Sequence, residues 1–175
     1  TGIEVSVLSI AGPGVQIEPD AAKATKIARE GNDFLAKEIQ KCPDRYRGFA
    51  HLAVQDANAA ADELERCVRD LKFCGAMING HTNGLYLDDP SVYPLWERAE
   101  ALGAILYLHP ADPAKPNPTI GDYKELSRAT WGWGVETGTH ALRLVFSGVF
   151  DRYPHVKLAL GHLGETLPFL LWRLD

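Results

Sequence analysis

No run of about 18 apolar residues occurs in the chain, so no segment reads as a transmembrane helix. The opening Thr1-Gly2-Ile3-Glu4-Val5 carries no basic stretch, so no signal peptide is visible. Positive charge is in deficit: 18 Lys+Arg stand against 23 Asp+Glu, a net charge of -5 spread along the chain. That balance argues against nucleic acid or an anionic membrane as a partner. Cysteine is sparse. The three, Cys42, Cys67 and Cys74, are odd in number and have no C-x-x-C spacing, so a reduced, cytoplasmic protein is expected. Several nucleophile signatures are missing too. The Gly12-Pro13-Gly14 turn lacks the Lys-Ser/Thr of a phosphate loop, no Gly-x-Ser-x-Gly elbow occurs, and no cysteine stands beside a credible base.

What remains is ordinary globular usage, 46% hydrophobic, 23% charged and 9% aromatic, in 175 residues that suffice for one domain. Short apolar runs alternate with helical stripes. Strands are expected near 3–9, 48–54, 74–79, 104–109 and 157–161. Between them, Asp20 caps a helix bearing Ala24, Ile27, Ala28, Leu35 and Ile39, which Pro43 ends. Asp56 or Asn58 opens a second, with Ala60, Leu64, Cys67, Val68 and Leu71 on one face, where Cys67 reads as a buried thiol. Val92, Leu95, Trp96, Ala99 and Leu102 make a third stripe. Four prolines between Pro110 and Pro118 force an extended loop. Helical pattern resumes over 135–150, and Thr166 to Asp175 looks like a helix just begun.

Strand-helix repetition of this kind gives a parallel α/β sheet with right-handed crossovers. Periodicity leaves two architectures open, a doubly wound sheet and part of a (β/α) barrel. About five consecutive βα units are too few for a closed barrel, which has eight strands and about 250 residues. The chain therefore reads as a segment of something longer.

Reactive groups in parallel α/β folds gather at the carboxyl ends of strands. Two of the six histidines, His109 and His162, end strands here. A neutral imidazole at such a mouth serves as metal ligand or general base; a hydrogen-bonded core histidine is the alternative for His109, and spacing does not choose. Glu165 follows His162 by three residues and could fix its tautomer. Equally, it could be the first-turn acid of a following helix. Asn79 offers a donor and an acceptor at another strand end, although Asn79-Gly80 reads first as a turn pair. His51 and His140 read as packing or surface residues, and His81 and His155 as solvated loop residues.

The segments Leu106-Tyr107-Leu108-His109-Pro110, Gly148-Val149-Phe150-Asp151-Arg152-Tyr153-Pro154 and Leu160-Gly161-His162-Leu163-Gly164-Glu165, with the closing Trp172-Arg173, resemble the amidohydrolase-related decarboxylases. That family includes the γ-resorcylate, 2,3-dihydroxybenzoate, salicylate and aminocarboxymuconate semialdehyde decarboxylases. Asp44-Arg45-Tyr46-Arg47-Gly48-Phe49 and Gly75-Ala76-Met77-Ile78-Asn79-Gly80 fit the same pattern, and the match runs along essentially the whole chain.

The resemblance implies a partial (β/α)8 TIM barrel of the metal-dependent hydrolase type, with residues 1–175 its central segment. It implies His109 as a metal ligand, His162 and Glu165 as the catalytic pair, and Asn79 and Arg173 at the substrate. The implied cofactor is a divalent ion, zinc first, with manganese or magnesium as alternatives. The implied activity is non-oxidative decarboxylation of a hydroxybenzoate-like carboxylic acid by a homo-oligomer. The family's first-strand Glu-x-His or His-x-His and its late aspartate have no counterpart in this chain. Lactone or ester hydrolysis on the same barrel, and a catalytically incomplete fragment, are the rival expectations.

Overall fold

The computed structural model describes residues 2–174 and contains one parallel sheet of five strands. The strands are β1 (Ser6–Leu8), β2 (Tyr46–His51), β3 (Gly75–Asn79), β4 (Ile105–His109) and β5 (Lys157–Leu160). Their spatial order is their chain order, each pairing in parallel with the next. The connecting helices are α1 (Ala21–Ile39), α2 (Ala57–Arg69), α3 (Tyr93–Leu102) and α4 (Gly132–Phe146), followed by the short α5 (Val149–Arg152) and α6 (Leu171–Leu174). Among the described residues, no helix is long and apolar enough to cross a membrane.

The expected helix starts are capped as the sequence implies. The Asp20 carboxylate accepts from the Lys23 amide at 2.8 Å, and that of Asp56 accepts from the amides of Asn58 and Ala59. Gly103, in the left-handed region at φ 61°, ends α3. Several boundaries differ from expectation. β1 is confined to the three residues that face Tyr46–Gly48. β2 stops at His51 because the next carbonyl, that of Leu52, is taken by Gln16 Nε2 at 2.8 Å instead of a strand partner. The stripe expected over 135–150 is two helices, because Gly148 turns the chain at φ 79° after α4. The segment expected to begin a helix at Thr166 forms a 3-10 turn at Leu167–Phe169 and then α6; Asp175 lies outside the described residues.

Alternation along the strands gives the sheet two unlike faces. Ala50, Ala76, Leu106 and Leu158 stand in one row, and Leu52, Ile78, Leu108 and Leu160 continue that face. Toward the helices this face is sealed, and Leu52, Ile78, Leu106 and Leu108 are buried. The opposite face carries Phe49, His51, Met77, Asn79, Tyr107 and His109, with Phe49 and Tyr107 in ring contact at 5.8 Å. That second face would line the inside of a closed barrel.

A buried polar network ties α1 and α2 to β2. The Asn32 side chain donates to His51 O (2.9 Å) and Glu63 Oε1 (2.8 Å), and accepts from His51 N (2.7 Å). Burial pushes the Glu63 carboxyl up, but hydrogen bonds from Arg66, Asn32 and Cys67 outweigh it and hold it below its ordinary value. Burial first, and then Glu63, push the Cys67 thiol well up, so it is the inert buried thiol expected. Asn32→Ala leaves the His51 amide without its partner and takes one donor from Glu63 Oε1, which keeps those of Arg66 and Cys67. It is expected to destabilise the fold by about 3 kcal/mol. Denaturant unfolding checks this, and a loss under about 1 kcal/mol would show that the network does not hold α1 to the sheet.

Candidate active site

His109 is the last residue of β4, and β5 ends one residue before Gly161-His162. A Cβ on Gly161 would stand 2.6 Å from Pro110 Cδ and 3.2 Å from Tyr107 Oη. Glycine there lets the two strand ends close on each other. The rings of His109 and His162 consequently meet edge to face, 5.6 Å apart at 81°. His109 Nδ1 lies 2.8 Å from the carbonyl of Pro110. A carbonyl only accepts, so Nδ1 carries the proton and Nε2 keeps its lone pair free, the tautomer a metal ligand needs.

His162 is presented by unusual backbone. Residues His162, Leu163, Gly164 and Glu165 all have positive φ, at 47°, 58°, 80° and 55°. Three of them carry side chains, and that conformation costs about 1–2 kcal/mol for each such residue. Strain of this sort gathers where geometry serves a function. Here it folds Glu165 back on His162, with Nδ1 and Oε1 3.0 Å apart. The approach does not meet hydrogen-bond geometry, and the buried Oε1 has no other partner, so the carboxylate stands against the imidazole edge without being bonded to it. Glu165 is therefore not the first-turn acid of a helix. Its carboxylate rests against α4, where a Cβ on Gly134 would come within 3.1 Å of Oε2. The indole of Trp133 faces His162 at 6.2 Å.

The amidohydrolase family model matches residues 3–175. The chain belongs to that family. Among its relatives, the γ-resorcylate decarboxylase of Polaromonas sp. is 46% identical over 99% of this chain and 56% of its own length. A solved 2,6-dihydroxybenzoate decarboxylase, complexed with 2,6-dihydroxybenzoate, superposes with a TM-score of 0.94 at 45% identity, over 99% of this chain and 56% of that one. A dihydroxybenzoic acid decarboxylase from Polaromonas sp., solved with bound manganese and the inhibitor 2-nitroresorcinol, gives 0.93 at 47%, over 99% and 55%. The chain spans about half the length of the curated relatives it matches.

Asn79 is paired in register with His109 on the next strand. It is not the turn residue its neighbour suggested: Gly80 takes the left-handed φ of 69°, and Asn79 closes the strand. Its Nδ2 donates to Gln16 Oε1 at 3.4 Å, while its buried Oδ1 has no partner and sits where a Cβ on Gly12 would meet it at 2.9 Å. Arg173 lies exposed on α6 with its guanidinium 5.5 Å over the Trp172 ring, and no hydrogen bond or ion pair links it to the two histidines.

His51 and His140 are both buried acceptors, taking the amides of Val15 (2.8 Å) and Leu87 (3.0 Å) on Nε2. His155 is exposed as expected. His81 is half-buried, its Nδ1 accepting from Gly84 N. With Tyr86, Lys115 and Glu136 it lines a groove of about 600 Å³ that holds none of the expected site residues.

The donor set decides how far the site accommodates a metal ion. His109 Nε2 is one donor of the right chemistry. Among the described residues, no three His, Cys, Asp or Glu side chains come together to hold an ion. The fit is thus real at one position, and the other ligands are not in this set. Sequence reasoning passed over Trp133, Gly134, Gly161 and Asp112. Two glycines in the opening Gly132-Trp133-Gly134 of a helix were a usable signal, because glycine there weakens a helix unless something must come close.

Proposed function

We propose that these βα units are the central part of one barrel, and that the whole protein is a metal-dependent, non-oxidative decarboxylase of a hydroxybenzoate-like acid. The observation that carries the reading is the meeting of a ligand-competent His109 with the His162–Glu165 pair at one mouth. The identity with the γ-resorcylate decarboxylases supports the substrate class. A divalent ion, when bound, would supply positive charge for the anionic end of the acid; manganese in the solved relative favours that ion over the zinc that the resemblance implied.

The remaining work falls to side chains. His109 fixes one ligand position, its ring held by the Pro110 carbonyl. Decarboxylation adds a proton to the ring carbon bearing the carboxylate; the bond to that carboxylate then breaks, and its electron pair restores the aromatic ring as carbon dioxide leaves. His162 is suited to handle that proton, because Glu165 faces its Nδ1 and leaves Nε2 for the substrate. Asn79 and Arg173 remain our proposed substrate contacts, and a homo-oligomer our proposed assembly.

Full-length protein supplied with manganese, zinc or magnesium is expected to release carbon dioxide from a dihydroxybenzoate. Ring opening of a lactone without carbon dioxide release would instead favour the hydrolase reading. The 175-residue chain alone is expected to bind manganese weakly and release none, since catalytic sites of this kind use about three protein ligands. Robust turnover by that chain would overturn the assignment of the ligands.

A further inference from the structure

Three contacts meet on the first turn of α4, and none belongs to the reaction as described so far. Trp133 Nε1 donates to Asp112 Oδ1 at 2.7 Å. The indole faces the His162 ring at 6.2 Å and 48°. One residue on, Gly134 leaves room for the Glu165 carboxylate. Asp112 is in the loop that leaves β4 directly after His109, and Arg128 Nε stands 3.8 Å from its second oxygen. The loop that begins at the proposed ligand is thereby fastened to the helix that backs the proposed proton-handling pair.

The local sequence makes this placement costly by itself. Two glycines in the first turn weaken α4, and a Cβ on Gly132 would strike the Ser127 carbonyl. Trp133 is only half-buried, so core packing does not account for it. Its single polar atom is spent on Asp112, which fixes the indole plane, and the indole lies beside the His162 ring, tilted by 48° at 6.2 Å.

We infer that Asp112 and Trp133 are positioning residues: Asp112 orients the indole, and the indole holds the His162 imidazole toward His109 and Glu165. The inference rests on the decarboxylase reading, and the experiment separates the two. In full-length protein loaded with manganese, Asp112→Ala and Trp133→Phe are each expected to lower kcat by about 10- to 100-fold, the scale of a small misplacement at a reacting group. KM and metal content should stay near wild type. Phenylalanine keeps a ring but has no N–H to donate, so the double variant should be no worse than either single one. Asp112→Asn should recover most of the rate, because its amide oxygen accepts the same indole hydrogen.

Additive losses in the double variant, an Asp112→Asn protein as slow as Asp112→Ala, or loss of metal would each overturn the inference. His162→Ala distinguishes the levels. If it leaves turnover intact, the decarboxylase site itself is wrong. If it abolishes turnover while Asp112→Ala and Trp133→Phe run at the wild-type rate, only the positioning role fails.

Discussion

In the full-length protein, His109→Ala is expected to lose bound metal and turnover together, whereas His162→Ala keeps its metal and loses turnover by about 10³-fold. The two histidines touch, yet their second nitrogens are committed differently. His109 directs Nδ1 to a carbonyl, which frees Nε2 as a donor to an ion. His162 has a carboxylate oxygen 3.0 Å from Nδ1, a neighbour that suits a ring that gains and gives up a proton. Removing a ligand weakens the hold on the ion, and removing a proton carrier raises the barrier with the ion in place. Metal content measured beside steady-state rates tests the split. Equal metal loss in both variants would make His162 a ligand as well.

Acid should weaken the fold through two other histidines. Burial lowers the pKa of His51 from 6.5 to about 4. Burial also lowers that of His140 to about 4, with Arg143 and His81 adding to the effect against Asp88. Both side chains are thus neutral when folded, as acceptors of backbone amides. Unfolding releases them to protonate near pH 6.5, so the unfolded chain binds more protons between that pH and about 4. Their contribution is whole above pH 6.5, declines as the pH falls, and is gone below about 4. Each is expected to account for about 3 kcal/mol over that window. His140→Gln retains an acceptor for Leu87 but does not titrate. Unfolding at pH 7.5 and pH 4.5 should show the variant losing about 3 kcal/mol less than wild type. Equal losses would remove His140 from the account.

These cases also show what could be read from the sequence. His109, His162 and Glu165 were legible because alternation and strand length place the first two at strand ends, and parallel strand ends share one mouth. That His51 and His140 are buried acceptors was not. Their partners, the amides of Val15 in a 3-10 turn and of Leu87 in a loop, are 36 and 53 residues away, and nothing local announces such a pairing. The same holds for Trp133. Four prolines identify the preceding loop as extended but not where Asp112 docks. Glu165 was readable as an acid near a helix start, and only the left-handed run through His162 turned it toward the imidazole.

The pairing of Asn79 with His109 has a consequence for length variation. Deleting one residue inside Ile105–Leu108 would swing the imidazole through the sheet to the helix side, along with the strand residues between the deletion and His109. Lengthening the chain between Lys115 and Tyr123 disturbs no ladder, and even a doubled loop costs only about 0.6 kcal/mol in closure. Tolerance to insertion and deletion is therefore expected to change abruptly within a dozen residues, from none along β4 to generous just past its mouth.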